Sequence, residues 1–465
     1  MRKVRIGFIP SHRVPFDDKW GAQLRARCLK AMAKVPGLEV VAPNDRLTEK
    51  GLVRNLAEAE KTLALFREKE VAGVMVGGMT FGSEVFTVGG LIAHLPVGTP
   101  VLHFATKGQV NPDGTRPSDS WCGQFMHTSA LKRRGIVFEH IPTCFPEEPV
   151  FAKWVERFTR ACAAQQAFRG ARIGQIGARP EEFESVWWDE ASLQRDFNQT
   201  VVPIDLADTF MRLDAVAPSD PAVRKVVRQI AASAQVPEEA REAVTTLARM
   251  EVALRRLAEE KRLDAMAVNC WDQVQKRYGI CVCSALGRLS DQGVSCACEV
   301  DVYGAATLLA ARAAGLGQTA PHFIDWTELH PTKENIWLAW HCGNAPHSLC
   351  ADNCQACIKE HSIIPFHPTW GTLEFREKTG PVTCCRLAEY DGFFSMFIGR
   401  GEVVDIPPAV RGSYAWVKVK DVMDWEQKMV QHGIIHHGVM IHDPAVADAL
   451  ESFCKFNGIE AIRGA

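Results

Sequence analysis

The sequence predicts an α/β fold in which two doubly wound, Rossmann-like α/β domains precede a β-rich, barrel-like C-terminal domain. A short apolar run, typical of a strand, begins near residue 5, and a similar run begins near residue 172. Apolar runs then alternate with helical segments up to about residue 328, and short β-rich runs with glycine and proline follow. Alternating strands and helices are typical of parallel α/β sheets, whereas closely spaced short strands are typical of sandwiches and barrels. The predicted domains are residues 1–170, 171–328 and 329–465.

A weak internal repeat marks the two α/β domains. The run Arg5–Pro10 opens the first domain, and the similar run Arg172–Gly177 opens the second after an alanine-rich helical segment. Each domain then contains an apolar strand that ends in polar or glycine residues, Val71–Gly78 in the first and Leu263–Cys270 in the second. Apolar residues recur at helical spacing over 237–260, which predicts an amphipathic helix that covers a sheet.

The pattern changes beyond roughly residue 330. The runs Phe393–Asp405 and Ser413–Val419 are rich in aromatic and β-branched residues, as is typical of strands. One short helix is predicted at Asp421–His432 and another around 444–456. These features predict the barrel-like third domain.

The composition favours a globular protein that acts on a small molecule. Of 465 residues, 47% are hydrophobic, which is ample for sizeable cores. With 53 basic and 55 acidic residues the formal net charge is −2, so neither nucleic acid nor a membrane surface is an expected partner. The N-terminus shows no secretion signal, and no run of about 18 apolar residues follows, which predicts a cytoplasmic protein. The turn Gly77–Gly82 lacks the dinucleotide and P-loop patterns, so no nucleotide cofactor is expected.

The cysteines are expected to be mostly free thiols, because the chain is large and shows no secretion signal. Cys350, Cys354 and Cys357 have the spacing C-x3-C-x2-C, which suits zinc or an iron–sulfur cluster if a fourth ligand is present. The same spacing would place the three side chains on one face of a helix, as small buried residues. The sequence leaves both alternatives open.

Carboxylates and imidazoles in the second part of the chain predict a metal site. Glu299 lies at a strand-to-helix junction, Asp325 closes a short apolar run, and His341 follows another apolar run. His436 and His437 lie between glycines and β-branched residues, in a strand or its turn. Ligands of open α/β sheets bind at the carboxyl ends of strands, and two carboxylates with imidazole favour Mn²⁺, Mg²⁺, Fe²⁺ or Co²⁺. Each residue taken singly would more often be a solvated acid or a structural histidine.

These motifs resemble the L-fucose isomerase and L-arabinose isomerase superfamily. The resemblance rests on Cys298–Gly304, on Asp325 at a strand end, on His341–Pro346 and on Gly433 followed by His436 and His437. Members of that family have two α/β domains, a β-barrel-like domain and a Mn²⁺ site between domains. The resemblance implies that Glu299 and Asp325 bind the metal and also move protons. It implies that His437 is the C-terminal ligand, with His436 as the alternative, and that His341 is an additional ligand.

The activity that the resemblance implies is aldose–ketose isomerisation through an ene-diol. A divalent cation polarises two substrate oxygens while one carboxylate moves a proton between adjacent carbons. A pentose, deoxyhexose or related sugar is the expected substrate, with L-fucose, D-arabinose, another deoxy-aldose and an acidic sugar derivative all suiting the scaffold. Trp326 and Asn344 are expected substrate contacts. Trp20 is a third, because relatives are often hexamers in which a neighbouring N-terminal region closes the site, so a homo-oligomer (trimer or hexamer) is expected.

Two other classes of function are compatible with the same residues. One is another metal-dependent enzyme, such as a lyase or epimerase that acts next to a carbonyl. The other is a non-catalytic sugar-binding sensor. Glu299 and Asp325 argue against the sensor, because binding a neutral sugar does not require two acids.

Overall fold

The computed structural model describes residues 3–363 and 368–465, which fall into two compact units. The first unit holds the chain up to Gln166 together with Lys455–Gly458, and the second holds Ala167–Cys454 with Ile459–Ala465. The second unit therefore contains both the second α/β region and the β-rich region, which the sequence analysis separates at residue 328.

The first unit is built on a parallel five-stranded sheet of order β2-β1-β3-β4-β5. Its strands are β1 (Val4–Ser11), β2 (Leu38–Val41), β3 (Gly73–Gly78), β4 (Val101–Ala105) and β5 (Phe138–Ile141). The helices of this part of the chain are α1 (Asp18–Met32), α2 (Leu56–Glu68), α3 (Ser120–Arg133) and α4 (Pro149–Phe168). This strand order is the doubly wound arrangement, which confirms the predicted fold class for the first α/β region.

The second unit begins with a parallel four-stranded sheet of order β7-β6-β8-β9. Its strands are β6 (Arg172–Ile176), β7 (Thr200–Ile204), β8 (Ala265–Val268) and β9 (Ser295–Cys298). The helices are α5 (Glu190–Phe197), α6 (Leu206–Ala215), α7 (Pro221–Ser233), α8 (Arg241–Lys261), α9 (Gln273–Tyr278), α10 (Cys283–Asp291) and α11 (Val302–Ala314). The order repeats that of the first four strands of the first unit, so the predicted internal repeat is present.

An antiparallel barrel completes the second unit. Its sheet contains β10 (His322–Leu329), β11 (Ile336–His341), β12 (Cys357–Glu360), β13 (Trp370–Arg376), β14 (Gly380–Tyr390), β15 (Phe393–Val404), β16 (Ser413–Lys418), β17 (His437–Ile441) and β18 (Glu460–Arg463). The pairing of β15 with β16 closes the ring β16-β11-β10-β17-β14-β15. The predicted helices are present as α12 (Val422–Gln431) and α13 (Ala445–Asn457).

The position of Asp325 differs from the sequence prediction. Asp325 lies in the middle of β10 and not at its end, because the strand continues through Leu329 in pairing with β11. Strand β10 also belongs to the barrel and not to the parallel sheet. The barrel therefore begins at His322, seven residues before the predicted boundary at 329.

The helical alternative for the cysteine cluster is wrong. Residues 351–356 form a turn and irregular chain, and Cys357 begins β12. The Cys354 thiol lies 3.4 Å from the backbone nitrogen of Arg376, whereas the Cys357 thiol lies 3.4 Å from Gln235 Oε1. Over the described ranges, the side chains close enough to hold a metal together include no cysteine.

No helix within residues 3–363 and 368–465 has both the length and the apolar character needed to cross a bilayer.

Candidate active site

Pairing of barrel strands brings Asp325 and His437 together. Strands β10 and β17 are antiparallel, with Asp325 directly opposite His437. Directly opposed residues project from the same face of a sheet. The two side chains meet with His437 Nε2 3.7 Å from Asp325 Oδ1.

Glu299 reaches the same point from the parallel sheet. It follows the last residue of β9, and its Oε2 lies 2.8 Å from His437 Nε2. Glu299 and Val300 have φ angles of 58° and 59°, a left-handed conformation that is rare for any residue other than glycine and strained for a β-branched one. Such strain concentrates at functional sites, where the surrounding structure enforces it. This turn places the Glu299 carboxylate beside the barrel.

The two histidine rings at the site have opposite hydrogen-bonding arrangements. His437 Nδ1 lies 2.9 Å from Asp301 Oδ2, so Nδ1 carries a hydrogen and donates it to the carboxylate. His341 Nδ1 instead accepts a hydrogen bond from the backbone N–H of Cys342 at 2.9 Å. A neutral imidazole bears one hydrogen, so His341 carries it on Nε2. His437 instead faces a carboxylate at each ring nitrogen and would become a ligand through Nε2 only on release of the proton that it shares with Glu299.

Two buried atoms at the site have no hydrogen-bond partner among the described residues: Asp325 Oδ1 and His341 Nε2. Buried polar atoms are almost always satisfied, so such exceptions indicate a missing ligand or a catalytic role. Two sets of side chains lie close enough to hold a metal ion, Glu299 with His341 and His437, and Asp325 with His436 and His437. Two carboxylates and the Nε2 of His437, once deprotonated, form an oxygen-rich donor set that fits a hard divalent cation. For His341 the same role would require loss of the hydrogen bond from Cys342.

The ionisable groups of the site have strongly shifted pKa values. Burial raises the pKa of Asp325 to about 6. Burial also opposes ionisation of Glu299, but His436, whose Nε2 lies 4.0 Å from Oε2, and the hydrogen bond from His437 at 2.8 Å bring its pKa well below the usual range. Burial lowers the pKa of His341 to about 3. Burial disfavours the charged form of His437 as well, but Asp301 and Glu299 raise its pKa to about 10.

Aromatic side chains form one wall of the site. The indole Nε1 of Trp271 donates to Glu299 Oε1 at 3.0 Å. Phe183 stacks on the ring of His436 with centroids 5.5 Å apart and contacts Trp271 edge-on at 6.0 Å. Apolar walls of this kind exclude water and strengthen electrostatic interactions inside the site.

Two of the predicted substrate contacts, Trp326 and Asn344, have hydrogen-bond or packing partners outside this set. Successive residues of a strand face opposite sides, so Trp326 packs on Trp337 at 5.1 Å between ring centroids, in the barrel core. Trp326 and His436 nevertheless both line a cavity of about 350 Å³. Asn344 lies behind the site, where its Oδ1 is 3.1 Å from His322 Nε2 and its Nδ2 is 3.4 Å from Cys298 Sγ.

Trp20 belongs to the first unit. It lies in the first turn of α1, where Asp17 caps the helix by accepting from its backbone N–H at 3.0 Å. Its indole nitrogen is buried without a hydrogen-bond partner within the described ranges.

Sequence reasoning missed Asp301 and Arg386. Asp301 follows Glu299 by two positions and reads as an ordinary helix cap, a role that it also has for α11. Arg386 lies in the buried strand β14 and keeps only 2% of its side chain exposed. A lone arginine within the apolar run Val382–Leu387 is a signal for a buried ion pair, because charged groups are buried only when they are paired.

Family models match both ends of the chain. The model described as "Fucose/sulfoquinovose isomerase, N-terminal domain" matches residues 7–169. The model described as "L-fucose isomerase, C-terminal domain" matches residues 339–463. The second match covers β11 with His341 and β17 with His437.

Curated relatives extend the similarity across the central region. The sulfoquinovose isomerase of Priestia aryabhattai is 23% identical over 454 residues, which is 97% of each chain. That of Alkalicoccus urumqiensis is 27% identical over 316 residues, or 67% of this chain and 69% of the relative. That of a Clostridium species is 26% identical over 376 residues, or 78% and 80% of the two chains.

Proposed function

This chain belongs to the L-fucose isomerase-like family of sugar isomerases, and we propose that it interconverts the aldose sulfoquinovose with its ketose in a reaction that requires a divalent cation. The observation that carries the proposal is the convergence of Glu299, Asp325 and His437 on one point. An aldose–ketose isomerase needs a base between two carbons and positive charge at two oxygens.

The donor set supports Mn²⁺ as the cation, with Mg²⁺, Co²⁺ or Fe²⁺ as alternatives of the same chemistry. Glu299, Asp325 and His437 Nε2 would hold it, and His436 is a further imidazole at the edge of the set. When bound, the cation supplies Lewis-acid polarisation of the substrate oxygens. Binding requires that the His437 Nε2 proton, which now lies between the ring and Glu299, is released.

The protein side chains divide the proton chemistry between them. Asp325, whose pKa is raised to about 6 by burial, is suited to accept a proton from one carbon and return it to the next. Glu299 stays ionised, because two histidines face it. His341 presents an Nε2–H without a partner among the described residues, which can donate to a substrate oxygen as negative charge develops there.

Sulfoquinovose is proposed as the substrate because the curated relatives carry that name at 23–27% identity. It is a glucose in which a sulfonate replaces the terminal hydroxyl, so it is an acidic member of the deoxyhexoses expected from the sequence. Quinovose differs from sulfoquinovose only in lacking the sulfonate, whereas L-fucose and D-arabinose are aldoses with the opposite configuration at C2.

We also propose that the protein is a homo-oligomer and that Trp20 contacts substrate bound by a neighbouring subunit. The support is the partnerless indole nitrogen at the start of α1, together with the family membership.

Ketose formation from a panel of aldoses tests the proposed function. Sulfoquinovose, quinovose, L-fucose and D-arabinose are each incubated with Mn²⁺-loaded protein, and the ketose is quantified by NMR. Sulfoquinovose is expected to give the highest kcat/KM. A higher kcat/KM for any of the other three sugars would overturn the proposed substrate. Failure to convert all four sugars would overturn the proposed reaction.

A further inference from the structure

The carboxylate of Asp301 is enclosed by four hydrogen bonds. Oδ1 accepts from the backbone N–H of Gly304 at 2.7 Å and from Arg386 Nη2 at 3.0 Å. Oδ2 accepts from His437 Nδ1 at 2.9 Å and from Arg386 Nη1. Asp301 is fully buried, and Arg386 is 2% exposed. A planar guanidinium that binds both oxygens of a carboxylate fixes its orientation as well as its charge.

We infer that Asp301, clamped by Arg386, is a positioning residue that fixes the His437 ring with Nε2 directed at Glu299 and Asp325. The inference rests on the proposed function, since it concerns the residues that would hold the cation. An imidazole has two neutral tautomers, and a carboxylate on Nδ1 selects the one in which Nε2 is a ligand. His341 shows the contrast, because a backbone N–H occupies its Nδ1 and its Nε2 is a donor.

The same clamp holds the turn that carries Glu299. Glu299 and Val300 are both left-handed, and the ladder of β9 fixes the turn on one side. On the other side Asp301 caps α11 through Gly304, and Arg386 ties that cap to β14. The Asp301 carboxylate therefore orients His437 and also holds the strained turn that positions Glu299.

Asp301 is not itself placed to exchange protons. Its charge is balanced by Arg386 and by the N-terminus of α11, which attracts negative charge. Every one of its lone-pair directions is used by a hydrogen bond. A positioning role is what remains for it at this site.

The test measures Mn²⁺ affinity, which is a readout separate from turnover. Metal-stripped wild type, Asp301→Asn, Arg386→Lys and Glu377→Gln are titrated with Mn²⁺ by calorimetry, and their thermal unfolding is recorded. Glu377 is the matched control, because it is also fully buried and its carboxylate binds His322 at 2.6 Å and His442 at 2.9 Å. Loss of either carboxylate is expected to lower the unfolding temperature.

Mn²⁺ affinity is expected to depend on the carboxylate of Asp301 and not on that of Glu377. Asp301→Asn is expected to bind Mn²⁺ about ten- to a hundredfold more weakly, with kcat reduced and the sugar KM little changed. Glu377→Gln is expected to stay within about twofold of wild type. Arg386→Lys keeps the positive charge but loses the bidentate hydrogen bonding to Asp301, so its loss of Mn²⁺ affinity is expected to be smaller than that of Asp301→Asn. Arg386→Lys replaces Asp301→Asn as the test variant if the latter does not fold.

Unchanged Mn²⁺ affinity in folded Asp301→Asn would overturn the inference, and so would an equal loss in Glu377→Gln. If Asp301→Asn does not fold, unchanged affinity in Arg386→Lys overturns it. A wild type that binds Mn²⁺ but isomerises no sugar would overturn the proposed function and leave the inference standing. A wild type that does not bind Mn²⁺ would overturn both.

Discussion

Asp325 and Glu299 carry opposite pKa shifts although both face His437. Glu299 has a histidine within hydrogen-bond distance, whereas Asp325 Oδ1 has no hydrogen-bond partner among the described residues and burial dominates its pKa. Carboxylates whose environments drive their pKa values apart are typical of sites in which the two groups have different roles in proton transfer.

Replacing Asp325 with asparagine should remove the base while keeping the side-chain volume. We expect kcat for ketose formation to fall about a hundred- to ten-thousandfold, as for other positioned bases. Glu328→Gln, on the exposed end of the same strand, is the control and should keep wild-type kcat. A folded Asp325→Asn variant with more than a tenth of wild-type kcat would contradict the role given to Asp325.

The residue types of the site could be predicted from sequence, but the contacts between them could not. Acids and imidazoles at a strand-to-helix junction, after apolar runs and in a late strand, in an order that resembles a known superfamily, predict Glu299, Asp325, His341 and His437 as site residues. Asp301 and Arg386 meet across 85 positions, and no local pattern records that pairing. The tautomers of His341 and His437 likewise depend on neighbours that only the fold supplies.

At the level of secondary structure, strand β17 packs closely against Trp326 because the residue after His437 is a glycine. An added Cβ at Gly438 would lie 2.2 Å from Trp326 Cζ2. The indole of Trp326 covers this glycine and donates from Nε1 to the His437 carbonyl at 3.2 Å.

Gly438→Ala should therefore destabilise the barrel by about 1–3 kcal/mol, the usual effect of overpacking a core. Urea unfolding of the metal-stripped protein measures the free energy of unfolding. Gly108→Ala is the control, because among the described residues its added Cβ would meet only the Ser118 hydroxyl, the end of a side chain that can rotate away. Equal stabilities of Gly438→Ala and wild type would show that Trp326 can move away freely.

The parallel sheet of the first unit buries a chain of histidines. His103 Nδ1 lies 3.2 Å from His140 Nδ1, His103 Nε2 lies 3.4 Å from His127 Nδ1, and His127 Nε2 lies 3.1 Å from Ser11 Oγ. Burial, with a contribution from the Arg13 charge, lowers the pKa of His127 from 6.5 to about 4. The pKa of His103 is also lowered by burial.

These buried histidines should make the folded protein less stable in acid. A histidine whose pKa is lower in the folded than in the unfolded state makes its full contribution to the free energy of unfolding above pH 6.5. That contribution is lost as the pH falls from 6.5 towards about 4. For His127 that loss amounts to about 3 kcal/mol. Thermal unfolding recorded between about pH 7 and pH 5 should show a falling midpoint, and His127→Gln should show a shallower fall. An identical slope in the variant would contradict this explanation.

At the scale of the whole molecule, the fold class could be predicted more completely than the domain plan. Two runs of similar sequence predicted two parallel sheets, and both have the strand that opens them second in order. The barrel begins at β10, before the change of sequence pattern near residue 330, because β10 pairs with β11 and β17, and no local pattern shows those pairings. Closure by β15 and β16 depends on pairing across a loop, which hydrophobic periodicity does not encode.

Complementation between subunits tests the proposed role of Trp20. Trp20→Ala and Asp325→Asn each impair a site if Trp20 acts across a subunit boundary, so co-produced mixed oligomers should contain some intact sites. Activity is expected to return in the mixture and not in either variant alone. Mixed oligomers, verified by mass, that remain inactive would show that Trp20 does not serve a neighbouring subunit's site.

Removal of metal shows whether sulfoquinovose isomerisation by this protein requires a divalent cation. Wild-type protein is stripped of metal with a chelator, and ketose formation is followed by NMR before and after addition of Mn²⁺. We predict that the stripped protein is inactive, that Mn²⁺ restores turnover, and that Asp325→Asn loaded with the same Mn²⁺ stays inactive. Full activity in the stripped protein, or more than a tenth of wild-type turnover by Mn²⁺-loaded Asp325→Asn, would contradict the proposed metal-dependent isomerisation.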